Sequence, residues 1–429
     1  MKQQIRSERI RESYWKIQHP SGLTLLLYPM EGFSSAYAMM TTDYGSVDLT
    51  FRTDSSVPFT QIPAGTAHFL EHKMFENKDG DAFAKYAATG ASANAFTSFD
   101  KTSYLFGCAD QFEESLRILL EFVTTPYFTP QTVSKEQGII GQEIKMYDDN
   151  PDWRVLFNLL KAIYVHHPIA IDIAGTVESI AQITADSLYE TYRAFYNLHN
   201  MVLAVAGNFS PDVVIRIADQ VLSPAPKLQL ERAVVDEPEQ VAQKRIEQKF
   251  PVAAPMFCLG LKIRPSAPRE GVVNSVIQEI VNEVLAGDAS GLYRRLYDQG
   301  LINATFDSEA DVGKDFAAVI FSGESKDPDR AAQEIMKEIE RLQSQGIDPE
   351  AFARSKKAVY GRYVRMLNRP DSIANAMTSA YFSGLDLYDL LAIVADATLE
   401  QAQKRLAEDY RTDCAALSVI SPLDETATA

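Results

Sequence analysis

Two histidines and a glutamate in the segment AGTAHFLEHKMFE have the types and the spacing needed to hold a metal ion. His68 and His72 are four residues apart, so on a helix they project from one face and can bind the same ion. Glu71 lies three residues after His68, near that face. From there its carboxylate can reach a metal-bound water without becoming a ligand. The segment therefore predicts a metal centre with a general base beside it.

A catalytic zinc ion usually has three protein ligands and one position left for water, so a third ligand must come from elsewhere in the chain. The best candidate segment is VSKEQGIIGQEIKMYDDNP, within a helix predicted from Pro130 to Asp149. Glu136 and Glu143 are seven residues apart in it and share a helix face. One of them can bind the ion while the other supports the site from outside, and the spacing alone leaves open which does what.

Each of these features also has an ordinary interpretation. An H-x-x-E-H pattern arises by chance in on the order of one chain in a hundred, and two glutamates seven apart are more often a surface stripe. The apolar neighbours of the histidines favour a buried helix, however, and buried polar groups need partners. These neighbours are Phe69, Leu70, Met74 and Phe75. The adjacent pair His166-His167 is predicted to be structural, because its two rings point apart.

Composition excludes several classes of function. The chain has 429 residues and a formal net charge of −17, so it would repel nucleic acid and favour neutral or cationic ligands, including basic peptides. Its three cysteines are far apart, which predicts neither disulfides nor thiolate zinc ligands. The N-terminus lacks an apolar run, and no stretch of about 18 apolar residues occurs. We therefore expect a cytoplasmic protein without a membrane span.

The order of predicted elements favours an α+β fold. Strands are predicted at 23–28, 36–44, 93–96, 103–107 and 201–206, and helices at 64–76, 82–88 and over most of 111–196. Runs of strands followed by runs of helices are typical of α+β layers. The polar, proline-containing stretch 223–245 is predicted to be a linker between an N-terminal half, 1–222, and a C-terminal half, 246–429.

The two halves share landmarks at equal spacing, which predicts duplication of one α+β unit. Pro130 and Pro349 each open a helix, and Thr184 and Thr398 each begin a helix that leads into a strand. Coincidence among common helix signals is the alternative. Under duplication Arg362 occupies the position equivalent to Glu143. All six histidines lie in the first half, so one metal site per chain is expected, in that half.

The sequence resembles the insulinase/pitrilysin family of zinc peptidases. The resemblance rests on HFLEH, whose H-x-x-E-H order is that of the inverzincins, on the E-x6-E of EQGIIGQE, and on SANAFTS. It covers essentially the whole chain and is closest to the single-chain bacterial members that resemble processing peptidases. It implies two halves, each an antiparallel sheet with helices packed on it, which together make half of a clam-shell chamber that encloses peptides or small unfolded proteins.

Residue by residue, the resemblance implies one zinc ion per chain on His68, His72 and Glu143, with Glu71 as general base and Glu136 as its supporting acidic residue. It also implies that Asn94, Ala95 and Phe96 form an edge strand that pairs with an extended substrate. Such pairing uses main-chain hydrogen bonds, so specificity comes only from side-chain pockets. The family further implies a homodimer or a heterodimer with a paralogue.

The second half departs from the family's pattern. In RRLYDQGLINATF, Tyr297 stands where an arginine is expected and Asn303 where a tyrosine is expected, while Arg294 and Arg295 lie up to a turn earlier. This departure keeps open an alternative, a non-catalytic or partner-dependent peptide-binding subunit. A purely structural zinc site is disfavoured, because such sites usually have four protein ligands. No cysteine or further histidine has the spacing to provide the fourth ligand.

Overall fold

A computed structural model describes residues 2–78, 80–227 and 229–423 of the chain. The strands within these ranges are β1 (Lys2–Ser7), β2 (Glu12–Gln18), β3 (Thr24–Pro29), β4 (Ala36–Thr42), β5 (Thr50–Arg52), β6 (Thr60–Gln61), β7 (Glu76–Asn77), β8 (Gly80–Asp81), β9 (Ser92–Thr97), β10 (Thr102–Cys108), β11 (Met201–Gly207), β12 (Glu231–Arg232), β13 (Arg245–Phe250), β14 (Met256–Lys262), β15 (Asp307–Val312), β16 (Ala317–Glu324) and β17 (Ala415–Pro422).

The α-helices within the same ranges are α1 (Thr66–Met74), α2 (Ala82–Thr89), α3 (Phe112–Thr124), α4 (Pro130–Asp148), α5 (Pro151–Ile163), α6 (Val177–Ile180), α7 (Ala185–Phe195), α8 (Pro211–Val221), α9 (Pro268–Ala286), α10 (Gly291–Asp298), α11 (Pro328–Gln345), α12 (Pro349–Met366), α13 (Pro370–Phe382), α14 (Leu387–Asp396) and α15 (Leu399–Asp409). None of the helices in the described part of the chain is both long and apolar enough to cross a membrane.

Seven of the described strands form the first sheet, in the order β1-β2-β3-β11-β4-β10-β9. Every residue of β11 is buried, as expected for a strand covered on both faces. Helices α1 and α3 lie against β10, and α13 lies against β11 and β4. Strand β9 is at the edge of this sheet, next to α1, so the sheet places an open strand beside the helix that contains the two histidines.

Five of the described strands form the second sheet, in the order β13-β17-β14-β16-β15. This order repeats β3-β11-β4-β10-β9 with the same strand directions, so the structure confirms two related sheet-plus-helix halves. The predicted antiparallel pairing holds for every strand pair of these two sheets except one in each. β3 pairs in parallel with β11, and β13 with β17, and in each pair the two strands are separated by a long stretch of chain, as parallel pairing requires.

The chain forms two compact units that are not continuous in sequence. The first takes in most of the chain up to Ile144, together with Asp172–Val234 and Arg365–Tyr388. The second takes in Lys145–Ile171, Val235–Val364 and the described residues from Asp389 onwards. This division differs from continuous halves at 1–222 and 246–429, because α5 packs on β14 and β17 while α13 packs on the first sheet.

Part of the predicted linker 223–245 is ordered against the first unit. Strand β12, which lies within it, pairs with β5. The Arg52 guanidinium donates two hydrogen bonds of 2.8 Å to the carboxylate of Glu231 on β12. The border between the compact units therefore falls after this strand, between Val234 and Val235.

A glycine fixes where the histidine helix begins. Gly65 precedes α1 in the left-handed region, with φ of +88°, which costs a glycine little. A Cβ atom at this position would lie 2.4 Å from the carbonyl oxygen of Ala174. The close approach of the two backbones therefore requires glycine and sets the start of α1.

Candidate metal centre

Helix α1 carries three of the predicted site residues, and two of them are buried. His68 is 7% exposed and Glu71 is 9% exposed, so both have left bulk water. The apolar neighbours Phe69, Leu70 and Met74 are almost completely buried and hold the helix in the core of the first unit. The rings of His68 and His72 are 4.6 Å apart between centroids and tilted by 60°. One face of a buried helix therefore presents both imidazoles to the same point, as their spacing predicts.

Helix α4 brings a carboxylate to this point. The Nε2 atom of His68 lies 3.6 Å from Oε1 of Glu143, and Nε2 of His72 lies 3.4 Å from Oε2. Both separations exceed the usual length of an N–H···O hydrogen bond. Two ligands of a tetrahedral zinc ion, each about 2.0–2.2 Å from the metal, lie roughly 3.3–3.6 Å apart. The spacing of these three residues therefore fits zinc coordination.

The solvent exposure of the site and the number of its candidate ligands also fit a catalytic metal ion rather than a structural one. The ligand atoms of His68, His72 and Glu143 all lie within 4.8 Å of one another, and no other group of this kind occurs in the described ranges. The side chains of His72 and Glu143 are 25% and 20% exposed, so solvent reaches this side of the site. Three protein ligands with one accessible side leave room for water.

Glu136 lies two turns before Glu143 on α4 and contacts the other ring nitrogen of His72. Its Oε1 atom lies 3.0 Å from Nδ1 of His72. A hydrogen bond there gives Nδ1 the proton and leaves the lone pair of Nε2 directed towards Glu143, which is the tautomer that binds a metal. Of the two glutamates whose roles the spacing left open, Glu143 thus faces both Nε2 atoms and Glu136 faces the far side of one ring.

The charge around His72 favours a cation. Burial lowers the pKa of His72, but the hydrogen bond to Glu136 and the charges of Glu71, Glu143 and Glu136 outweigh burial and raise this pKa above its ordinary value. The same field that favours an added proton favours a divalent cation. The electrostatics of these carboxylates therefore agree with the ligand geometry.

Replacing Glu136 by glutamine is expected to weaken zinc binding without abolishing it. The variant keeps the shape of the side chain but loses the carboxylate that orients and polarises His72. Partners of this kind typically contribute 10- to 100-fold in metal affinity or activity. Competition with a fluorescent chelator measures the zinc affinity directly. An affinity equal to that of the unaltered chain would show that Glu136 does not support the site.

The strand predicted to pair with a substrate lies at the edge of the first sheet. Asn94, Ala95 and Phe96 are in β9, which pairs only with β10 among the described strands. The Ala95 N–H donates to Oδ1 of Asn94 at 2.9 Å, so this donor is not used in the ladder with β10. The edge of β9 thus has a backbone donor that an added strand can use after the Asn94 side chain moves.

The described residues of the second unit form no equivalent group of metal ligands. Arg362, the counterpart of Glu143 under duplication, donates from Nη1 to Glu283 at 2.7 Å. One residue further, the Tyr363 hydroxyl donates to Glu279 at 2.7 Å. Glu279 and Glu283 are four residues apart on α9, as the histidines are on α1. An ion pair and a hydrogen bond therefore occupy the positions that correspond to the candidate ligands of the first unit.

The residues that depart from the family's pattern have local roles. Tyr297 is 51% exposed and stacks on Tyr293, with ring centroids 5.8 Å apart. Asn303 shapes the turn before β15, where its Oδ1 accepts from the backbone and the hydroxyl of Thr305. Arg295 donates to Glu338 at 2.9 Å. Asn303 and Arg295 are thus occupied within the second unit, whereas the ring of Tyr297 remains accessible.

Comparison with known proteins identifies the family. A sequence model described as Insulinase (Peptidase family M16) matches residues 60–177, and one described as Peptidase M16 inactive domain matches residues 182–359. The uncharacterized zinc protease YmfH of Bacillus subtilis (strain 168) is 39% identical over 416 residues, which cover 95% of this chain and 96% of that protein. The chain belongs to the insulinase family.

Solved structures with the same fold agree with this. The crystal structure of an M16-like peptidase from Alicyclobacillus acidocaldarius has a TM-score of 0.91 at 34% identity and covers 99% of this chain and 98% of its own. A protease from Helicobacter pylori shares the fold, with a TM-score of 0.81 at 18% identity over 95% and 99% of the two chains. The insulinase match includes His68, Glu71, His72, Glu136 and Glu143. The inactive-domain match includes strands β13 to β16 of the second sheet and ends before β17.

Proposed function

We propose that the chain is a zinc-dependent peptidase that hydrolyses peptide bonds in extended peptides. The observation that supports this most directly is the separation of the His68, His72 and Glu143 ligand atoms, which matches zinc coordination, with Glu71 on the same helix. Membership of a family whose relatives are named zinc proteases supports the same reaction class. A zinc ion on these residues would supply Lewis-acid polarisation of the scissile carbonyl and a water of lowered pKa.

The chain's own residues account for the remaining steps. Glu71 accepts the proton of the attacking water and passes it to the nitrogen of the leaving amine. Within the described ranges Oε2 of Glu71 is held by Thr97, while no hydrogen bond engages Oε1. Oε1 is therefore the oxygen available for the proton. The open edge of β9 holds the substrate as an added strand, and this fixes the scissile bond relative to the base.

Charge determines the preferred substrates within this proposal. The chain has a net charge of −17, and Glu71, Glu136 and Glu143 lie at the site. An acidic protein attracts cationic peptides and repels anionic ones. We propose neutral or basic peptides as substrates, and a homodimer or a heterodimer with a paralogue as the working assembly. The native mass, measured together with zinc stoichiometry, distinguishes the two assemblies.

Cleavage of a flexible peptide by the purified chain tests the function. We expect the zinc-loaded protein to cleave an unstructured basic peptide with an internally quenched fluorophore. A chelator should abolish cleavage, and added zinc should restore it. Cleavage that resists complete removal of zinc would refute the proposal. Binding of the peptide without cleavage, with cleavage appearing only after a paralogue is added, would favour the partner-dependent subunit instead.

A further inference from the structure

The predicted general base and the predicted substrate strand are joined by one side-chain hydrogen bond. The Thr97 hydroxyl donates from Oγ1 to Oε2 of Glu71 at 2.8 Å. Thr97 is the last residue of β9, and Glu71 is in the middle of α1, which lies against β9. This bond is the only hydrogen bond of the Glu71 side chain to the described residues. Among the described residues, Thr97 is therefore the one hydrogen-bond partner of this carboxylate.

The chemistry of the pair fixes the direction of the bond. An ionised carboxylate only accepts hydrogen bonds, so the threonine hydroxyl is the donor. Hydroxyl-to-carboxylate bonds are charge-assisted and stronger than neutral ones. The last torsion of a glutamate side chain is broad, so a carboxylate without a partner samples many orientations. A general base must instead lie within hydrogen-bond reach of the proton that it removes.

We propose that Thr97 is a positioning residue that holds the carboxylate of Glu71 in the orientation needed for proton transfer. The inference rests on the proposed function, since it assigns a role to Thr97 through the base. Strand β9 then has two tasks, because its edge binds the substrate and its last side chain orients the group that acts on it. The base and the substrate are thereby kept in a fixed relation.

Variants of a positioning residue should change kcat and leave KM nearly unchanged, whereas a purely structural role would not produce this difference. Loss of the hydroxyl leaves the edge of β9 intact, so peptide binding is retained while proton transfer slows. We expect Thr97→Val to lower kcat by about tenfold to a hundredfold, the range for a hydrogen bond to an ionised group, and to change KM by less than about twofold. Thr97→Ser keeps the hydroxyl and should recover kcat to within about threefold of the unaltered chain.

The neighbouring strand offers a matched control. Thr102 lies directly opposite Thr97 in the β9–β10 register, and its hydroxyl donates to the carbonyl oxygen of Tyr44 at 2.9 Å. Thr102→Val therefore removes a threonine hydroxyl and its hydrogen bond from the same ladder without touching Glu71. We expect its kcat and KM to match those of the unaltered chain, even where the melting temperature falls.

A second measurement does not depend on activity. Crystal structures of the metal-free unaltered chain, Thr97→Val and Thr97→Ser should show the Glu71 carboxylate in one place in the first and third proteins and displaced in the second. When the same three proteins are loaded with zinc in solution, they should bind equal amounts of zinc per chain. Should Thr97→Val fail to fold, Thr97→Ala replaces it in both measurements.

The outcomes separate this inference from the proposed function. An unaltered kcat in Thr97→Val, or a Glu71 carboxylate that stays in place without the hydroxyl, would overturn the role of Thr97 alone. A folded Thr97→Ser as slow as Thr97→Val would overturn it as well. If the zinc-loaded unaltered chain cleaves no peptide, the peptidase proposal fails, and the crystal structures still decide whether Thr97 orients Glu71.

Discussion

Replacing Glu71 by glutamine is expected to abolish peptide cleavage while zinc stays bound. Glutamine has the same shape, and its carbonyl oxygen can still accept the hydrogen bond from Thr97, so the side chain should keep its place. It cannot take a proton from water, however. Positioned general acid–base groups contribute on the order of 10²- to 10⁴-fold, and we expect a loss near the upper end because Glu71 serves in both proton transfers. Initial rates with a quenched-fluorescence peptide, alongside elemental analysis of zinc, measure both effects.

A glutamate outside the site provides the control for this change. Glu121 is exposed on α3, and Glu121→Gln alters the net charge equally without touching the centre. We expect its rate to equal that of the unaltered chain. Retention of most activity in Glu71→Gln, at full zinc content, would remove Glu71 from the reaction. Loss of zinc from Glu71→Gln would instead show that Glu71 is a ligand.

Local signals in the sequence predict the two helices of the site well. The predicted helix 130–149 is observed as Pro130–Asp148, because proline starts the first turn and Asn150 caps the next helix by accepting from the backbone of Asp152 and Trp153. The histidine helix is observed as Thr66–Met74, two residues shorter at each end than 64–76. Its start is set by the approach of Gly65 to Ala174, which no local signal reveals.

Long-range arrangement is less predictable, for a physical reason. A helix with an apolar face must be buried, but its sequence does not say which sheet covers that face. Helix α5 has such a face and packs on the second sheet, although it follows α4 directly in the chain. The parallel pairing of β3 with β11 likewise joins segments more than a hundred residues apart. Alternation along a strand does not determine its partner.

The same distinction applies within the candidate site. Helical periodicity places His68 and His72 together, because both are on one helix. It cannot distinguish Glu136 from Glu143, since residues seven apart share a face and only the approach of α4 to α1 assigns them. Thr97 is missed entirely, because a threonine at the end of a strand has no spacing signal. Its contact with Glu71 depends on how the sheet and the helix pack.

Removing the third ligand is expected to empty the metal site. Glu143→Ala leaves two histidines, too few for a tight zinc site, and removes a carboxylate that lies 3.4 Å and 3.6 Å from their Nε2 atoms. We expect zinc stoichiometry after dialysis to fall from one per chain to nearly zero, and peptide cleavage to fall with it by at least a thousandfold. Elemental analysis and the quenched-fluorescence assay measure the two losses in the same preparation.

Duplication supplies the matched control for this change. Arg362 is the counterpart of Glu143, and its side chain, which pairs with Glu283, is half-exposed. Arg362→Ala should therefore cost about 1 kcal/mol or less of stability and leave zinc and cleavage unchanged. Full zinc content in Glu143→Ala would show that another residue is the third ligand, and Glu136 would be the first to test. Loss of zinc from Glu143→Ala but not from Arg362→Ala would show that the duplicated positions have diverged into a ligand in one unit and an ion pair in the other.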